Sequence, residues 1–147
     1  MSLFRIAAVV LLSASVNAAS QERFVATLTL PTGQSVVVAE GDFEARSIGS
    51  FSVRLYEAAS AADSTTFFLA GLVRPREGAL ESVVLADVDG DQRPEIIVIA
   101  RSVGTGSYLS AQAFSVEQTR LRLQATAEYL APDADPVAAL RESSGAH

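Results

Sequence analysis

The chain of 147 residues has no cysteine and no lysine, and its single histidine, His147, is the last residue. Without cysteine there is no disulfide framework, so the fold must be held by core packing alone. Without a thiol, or a histidine inside the domain, the common nucleophile–base pairs of covalent catalysis are unavailable. Two carboxylates could still run a glycosidase mechanism. The Asp and Glu residues, however, fall at turns and on polar strand faces, where solvated charges belong. The expectation is a protein that is not an enzyme. Lysine's absence leaves eleven arginines against seventeen acidic residues, a formal net charge of −6. An acidic chain of this kind repels nucleic acid and anionic lipid and attracts cationic partners.

Long apolar runs are also missing. Only Ile6 to Leu12 (IAAVVLL) approaches one, and a membrane-spanning helix needs about 20 such residues. With Arg5 before it and Val16-Asn17-Ala18 after it, the segment has the layout of a cleaved signal peptide. Residues 1–19 are therefore read as a leader, cut after Ala18 or Ala19. Arg5 is the only charge lost with it, which takes the formal net charge from −6 to −7. An exported, cysteine-free domain without a membrane span fits a bacterial periplasm.

Strand signals fill the rest. Phe24, Ala26, Leu28 and Leu30 alternate with Val25, Thr27 and Thr29, the period of a half-buried strand. Pro31-Thr32-Gly33 turns the chain back into Ser35–Ala39. Phe51, Val53 and Leu55 share the next apolar face, and the run Thr66 to Val73 is apolar on both faces and reads as a central strand. Ser82–Ala86 and Glu95–Ala100 flank the turn Asp87 to Pro94, and Tyr108–Val116 and Leu121–Ala127 follow. The fold class is all-β, about eight antiparallel strands in a β-sandwich or flattened barrel. The domain is placed at 20–131. A short helix is conceivable at Ala58–Ala62, and residues 132–147, rich in Ala, Asp, Pro and Ser, read as a weakly ordered tail with room for one short helix.

Two segments carry candidate chemistry. In Asp87-Val88-Asp89-Gly90-Asp91, followed by Pro94-Glu95, alternate carboxylates surround a glycine, as calcium loops require. The EF-hand pattern fails at its twelfth position, where Val98 stands, and no helices flank the loop. Asp87, Asp89, Asp91 and Glu95 thus remain open between a calcium site and a tight turn shaped by Asp and Gly. The second segment is Arg101-Ser102-Val103-Gly104-Thr105-Gly106-Ser107-Tyr108. Glycines weaken strands but free the backbone to turn or approach another surface, and small hydroxyl residues around one tyrosine are typical of protein-binding loops. No lysine or helix start follows, which excludes a phosphate-binding P-loop. A near-copy, Ala45-Arg46-Ser47-Ile48-Gly49-Ser50-Phe51, lies 55 residues earlier. In an antiparallel sandwich the two loops could share one end, which makes Arg46 and Ser47 candidates for a secondary contact.

The segments ARSIGSFSVRLYE (Ala45 to Glu57) and DVDGDQRPEIIVIARSVGTGSYLSAQAF (Asp87 to Phe114) resemble the periplasmic inhibitors of invertebrate-type (I-type) lysozyme. Neighbouring families that inhibit chicken-type lysozyme use a related Ser-Gly loop. The resemblance implies an exported β-sandwich that occludes the lysozyme cleft with an inserted loop of the form Ser-Gly-x-Tyr. Thr105-Gly106-Ser107-Tyr108 matches that loop, with threonine where the family usually has serine, and the added methyl restricts χ1. By resemblance, Ser102, Gly104, Thr105, Gly106, Ser107 and Tyr108 form the lysozyme-binding loop. The Thr105 hydroxyl would meet the cleft carboxylates, Gly106 would permit close approach, and Tyr108 would pack in the cleft or brace the loop. The implied partner is a lysozyme, commonly cationic, which an acidic domain suits. No cofactor is implied, calcium at the acidic turn being the alternative for an envelope or adhesive domain. Exposed sheet edges also admit a homodimer.

Overall fold

The computed structural model describes residues 22–57 and 62–145. The signal-peptide reading of 1–19, most of the helix considered at 58–62, and His147 lie outside the described residues. Eight strands follow one another as β1 (Val25–Thr29), β2 (Ser35–Glu40), β3 (Ile48–Glu57), β4 (Phe67–Glu77), β5 (Ala79–Ala86), β6 (Glu95–Arg101), β7 (Leu109–Glu117) and β8 (Arg120–Leu130), and a helix, α1 (Pro136–Ser143), comes last. They form two four-stranded antiparallel meanders, β1-β2-β3-β4 and β5-β6-β7-β8. Both sheets are open, so the architecture is a sandwich and not a closed barrel. Among the described residues no helix is long and apolar enough to cross a membrane.

Alternation in sequence becomes the inter-sheet core. Val36 and Val38 of β2, Phe51, Val53 and Leu55 of β3, Ile96 and Val98 of β6 and Phe114 of β7 all point inward and are buried. Phe51 and Phe114 meet across the sheets edge to face, centroids 6.1 Å apart at 84°, the arrangement the ring quadrupole favours.

A second core lies outside the second sheet. Residues 136–143, in the segment expected to be a weakly ordered tail, form α1. Asp135 caps its start, its carboxylate accepting the N–H groups of Val137 and Ala138, and Pro136 stands in the first turn, where a missing N–H costs nothing. Leu140, fully buried, packs with Val88, Ile97, Ile99, Ala111 and Ala113. This explains why β6 reads Glu-Ile-Ile-Val-Ile-Ala without alternation: both its faces are covered.

The fully covered strand is therefore β6, and the expectation of a central strand at Thr66–Val73 is corrected. β4 is an edge strand, with Phe67, Phe68 and Val73 more than half exposed. Pro75, within β4, has no N–H for a second neighbour, and proline in a sheet is confined to edges.

Candidate functional site

One end of the sandwich collects the β2–β3 loop, the β4–β5 link at Gly78, the β6–β7 loop and the exit of β8, as the antiparallel registers require. The β6–β7 loop spans 102–108 and is closed at its base. Ser102 N–H donates to Tyr108 O at 2.8 Å, and Tyr108 N–H donates to Ser102 Oγ at 2.8 Å. Arg101 reinforces the closure: Nη1 donates to Ser107 O at 3.1 Å and to Pro132 O at 3.3 Å. Its Nε pairs with Glu81 Oε1 at 2.8 Å. Ser102 thus belongs to the loop's base, and the hydroxyl serves the protein's own backbone.

The two glycines act differently. Gly104 has φ +127° with open space where a Cβ would stand, so its need is conformational. At Gly106 a Cβ would run into the Tyr108 ring. The ring thus lies across Gly106 while half its surface stays exposed. Ser107 between them is left-handed at φ 46°. Val103 and Thr105 are exposed at the tip, and the Thr105 hydroxyl makes no hydrogen bond within the described residues. The outcome is a braced loop presenting a tyrosine, a threonine hydroxyl and a valine.

Arg46 and Ser47 lie at the same end. Gly78 N–H donates to Ser47 O at 2.8 Å, while the Gly78 Cα sits so tightly on Arg101 O that no Cβ would fit. A single glycine thus bridges the two loops. The β2–β3 loop is shaped by residues that sequence reasoning did not single out. Arg76, whose side chain is wholly buried, donates to Ala45 O (2.9 Å), Arg46 O (2.9 Å), Ser50 O (3.0 Å) and Gly78 O (2.6 Å). The Glu44 carboxylate lies 3.7 Å from Arg76 Nη2 and accepts Ser50 N–H at 2.8 Å. Hydrogen bonds from the Ser50 N–H and hydroxyl, joined by the charges of Arg76 and Arg23, hold its pKa below the ordinary carboxylate range. A buried cation needs such a set of partners, but no spacing in the sequence announces it. The proline and glycine in Arg74-Pro75-Arg76-Glu77-Gly78 were the only local hint of a tight corner. Glu40 ties this end across the sheets by accepting Leu80 N–H at 2.7 Å.

The acidic turn lies at the opposite end. Asp87, Asp89, Asp91 and Glu95 bring one oxygen each within 4.8 Å of one another, yet most of their oxygens hold backbone. Asp87 accepts Gly90 N–H (2.9 Å) and Gln92 N–H (2.8 Å). Asp89 accepts Asp91 N–H (3.0 Å) and Gln124 Nε2 (2.7 Å), and Asp91 accepts Arg93 N–H (2.8 Å). Desolvation opposes the Asp89 charge, but the hydrogen bonds prevail and hold its pKa at about 2. Glu95, 2% exposed, accepts Val88 N–H at 2.7 Å. Burial, with the neighbouring aspartates, outweighs that bond and pushes its pKa up to about 7. These are the contacts of a turn that seats Val88 beneath α1.

Residues 22–144 match the family model described as periplasmic lysozyme inhibitor of I-type lysozyme. No curated protein sequence matches the chain. Among solved structures, the periplasmic lysozyme inhibitor of I-type lysozyme from Aeromonas hydrophila superimposes with a TM-score of 0.76 at 44% identity, over 80% of this chain and 98% of that one. The Aeromonas hydrophila inhibitor in complex with Meretrix lusoria lysozyme gives 0.75 at 44% identity, over 80% of this chain and 95% of that one. With the match running from before β1 to the end of α1, the chain belongs to the periplasmic inhibitors of I-type lysozyme, a family of inhibitor proteins and not of enzymes.

Proposed function

We propose that this protein inhibits I-type lysozyme in the periplasm by stoichiometric occlusion, entering the enzyme's cleft with the loop 102–108. The observation that carries the reading is the half-exposed Tyr108 ring braced over Gly106 in a loop closed by the Ser102–Tyr108 hydrogen bonds. A preformed loop loses little entropy on docking, and its free Thr105 hydroxyl is available to the cleft carboxylates. Arg46 and Ser47 extend the contact from the neighbouring loop. The net negative charge of the chain speeds encounter with a cationic enzyme. Residues 1–19 act as the export signal. Lysis of a peptidoglycan suspension by I-type, chicken-type and goose-type lysozymes, with and without the purified domain, is the test. Protection against the I-type enzyme at near-equimolar inhibitor is expected, and unchanged lysis by all three would overturn the proposal.

Calcium at the acidic turn is a second reading, supported by the four carboxylate oxygens within 4.8 Å. Inhibition does not depend on it, since the turn is at the far end. Calorimetric titration of chelator-treated protein with calcium decides it, with no heat at millimolar ion as the result that removes it.

A further inference from the structure

Phe43, at the tip of the β2–β3 loop, is as exposed as a free residue, at 102%, and its backbone is left-handed at φ 62°. Each fact is unfavourable by itself: an aromatic ring in water gains no burial, and a bulky residue at positive φ is sterically strained. Nothing in the described fold offsets them. The loop beneath is not loose, however. The Glu44 carboxylate fills the space that side chains at Gly41 and Gly49 would need, Ser50 binds that carboxylate, Arg23 donates to Glu44 O, and the buried Arg76 holds Ala45 O and Arg46 O. The mount is held by these contacts, and it displays an aromatic side chain that packs on nothing among the described residues. Ile48, 63% exposed, follows on the same loop's exit, while Val103 and Tyr108 stand exposed on the loop across Gly78.

We propose that Phe43, with Ile48 at the exit of the same loop, is a second apolar anchor for the bound lysozyme, docking on the enzyme's surface outside the cleft that Tyr108 enters. This rests on the inhibitory reading above. A rigid aromatic on a preorganised loop is the residue type that dominates binding energy at interfaces. The loop that carries it meets the base of the 102–108 loop through Gly78, which bonds Ser47 O and lies against Arg101 O. The exposed Asp42 precedes Phe43, and its negative charge suits a cationic protein and disfavours an anionic membrane.

The test is binding kinetics on immobilised I-type lysozyme for the purified wild type, Phe43→Ala, Phe43→Gly, Ile48→Ser and Tyr108→Ala, with thermal melts of each. The two Phe43 variants are expected to bind at least tenfold more weakly, mainly through faster dissociation. Phe43→Gly should melt no lower than wild type, because glycine accepts the positive φ. Weaker binding without lost stability separates an anchor from a structural residue. If wild type binds and Tyr108→Ala weakens it while both Phe43 variants bind like wild type, the second anchor is overturned and the inhibitory reading stands. Phe43-dependent sedimentation with phosphatidylglycerol vesicles, alongside unchanged lysozyme binding, would assign the ring to a membrane and overturn the proposal as well. A wild type that binds no lysozyme overturns both.

Discussion

Ser102 and Tyr108 bind each other twice: the Ser102 N–H donates to Tyr108 O at 2.8 Å, and the Ser102 hydroxyl accepts the Tyr108 N–H at 2.8 Å. The pair lies just beyond β6 and just before β7 and closes the base of the loop between them, so that loop is presented already formed. Replacing Ser102 by Ala removes one of these bonds at a partly exposed site, where about 1 kcal/mol is at stake. We expect the melting temperature to move little and the dissociation rate from I-type lysozyme to rise several-fold. Inhibition titrated at several lysozyme concentrations measures it, and an unaltered dissociation constant would show that the loop holds its shape without this bond.

Gly106→Ala tests the brace. The new methyl group cannot coexist with the Tyr108 ring, but the ring is half exposed and can swing away, so the fold should survive. Displacing the ring should weaken inhibition by an amount approaching that of Tyr108→Ala, on the order of 2 kcal/mol if the loop is the hot spot. Circular dichroism melts confirm folding. Full inhibition by a folded Gly106→Ala protein would mean the ring's position over residue 106 is irrelevant.

Glu95 makes stability fall as pH rises. Its folded pKa, about 7, lies above the ordinary value of 4.5, so the folded state keeps a proton that the unfolded state releases. Its stabilising contribution is complete below about pH 4.5, declines between 4.5 and 7, and is gone above. Glu95→Gln keeps an acceptor for Val88 N–H without the ionisation. Urea midpoints at pH 5 and pH 8 should differ less for the variant than for wild type. Equal pH dependence in the two proteins would place the titrating group elsewhere.

Leu140→Ala should cost about 2–5 kcal/mol, as for other buried leucines truncated to alanine, because Leu140 fills the space between α1 and the outer face of the second sheet. The 102–108 loop is closed by its own Ser102–Tyr108 hydrogen bonds, so inhibition at low temperature should persist. A fall in urea midpoint with retained inhibition is the expected result. A stability unchanged from wild type would mean that α1 contributes nothing to the folded core.

Eight strands are legible as apolar segments between turn residues, and alternation marks those in which one sheet face meets the core and the other meets water. The two places where alternation fails are those where the sequence misleads. Thr66–Val73 and Glu95–Ala100 are both continuous apolar runs, and composition cannot tell an exposed edge from a strand covered on both faces. That distinction was made by α1, whose Leu140 covers Ile97 and Ile99, and by Pro75, which limits β4 to one neighbour.

The candidate loop could be located from its glycines and its tyrosine, since those residue types have few other uses between strands. Which glycine serves which purpose could not. Gly104 needs its positive φ and Gly106 needs the absence of a Cβ beneath Tyr108, a difference that exists only once the chain has turned. The sequence by itself determined an acidic, cysteine-free β-domain with a glycine-rich loop around a single tyrosine, because charge, composition and period are local properties. The tertiary structure alone decided that the loop is braced, that Gly78 joins it to the β2–β3 loop, and that the buried Arg76 holds Phe43's loop in place. These depend on residues distant in sequence meeting at one end of the sandwich, and antiparallel register is what brings them there.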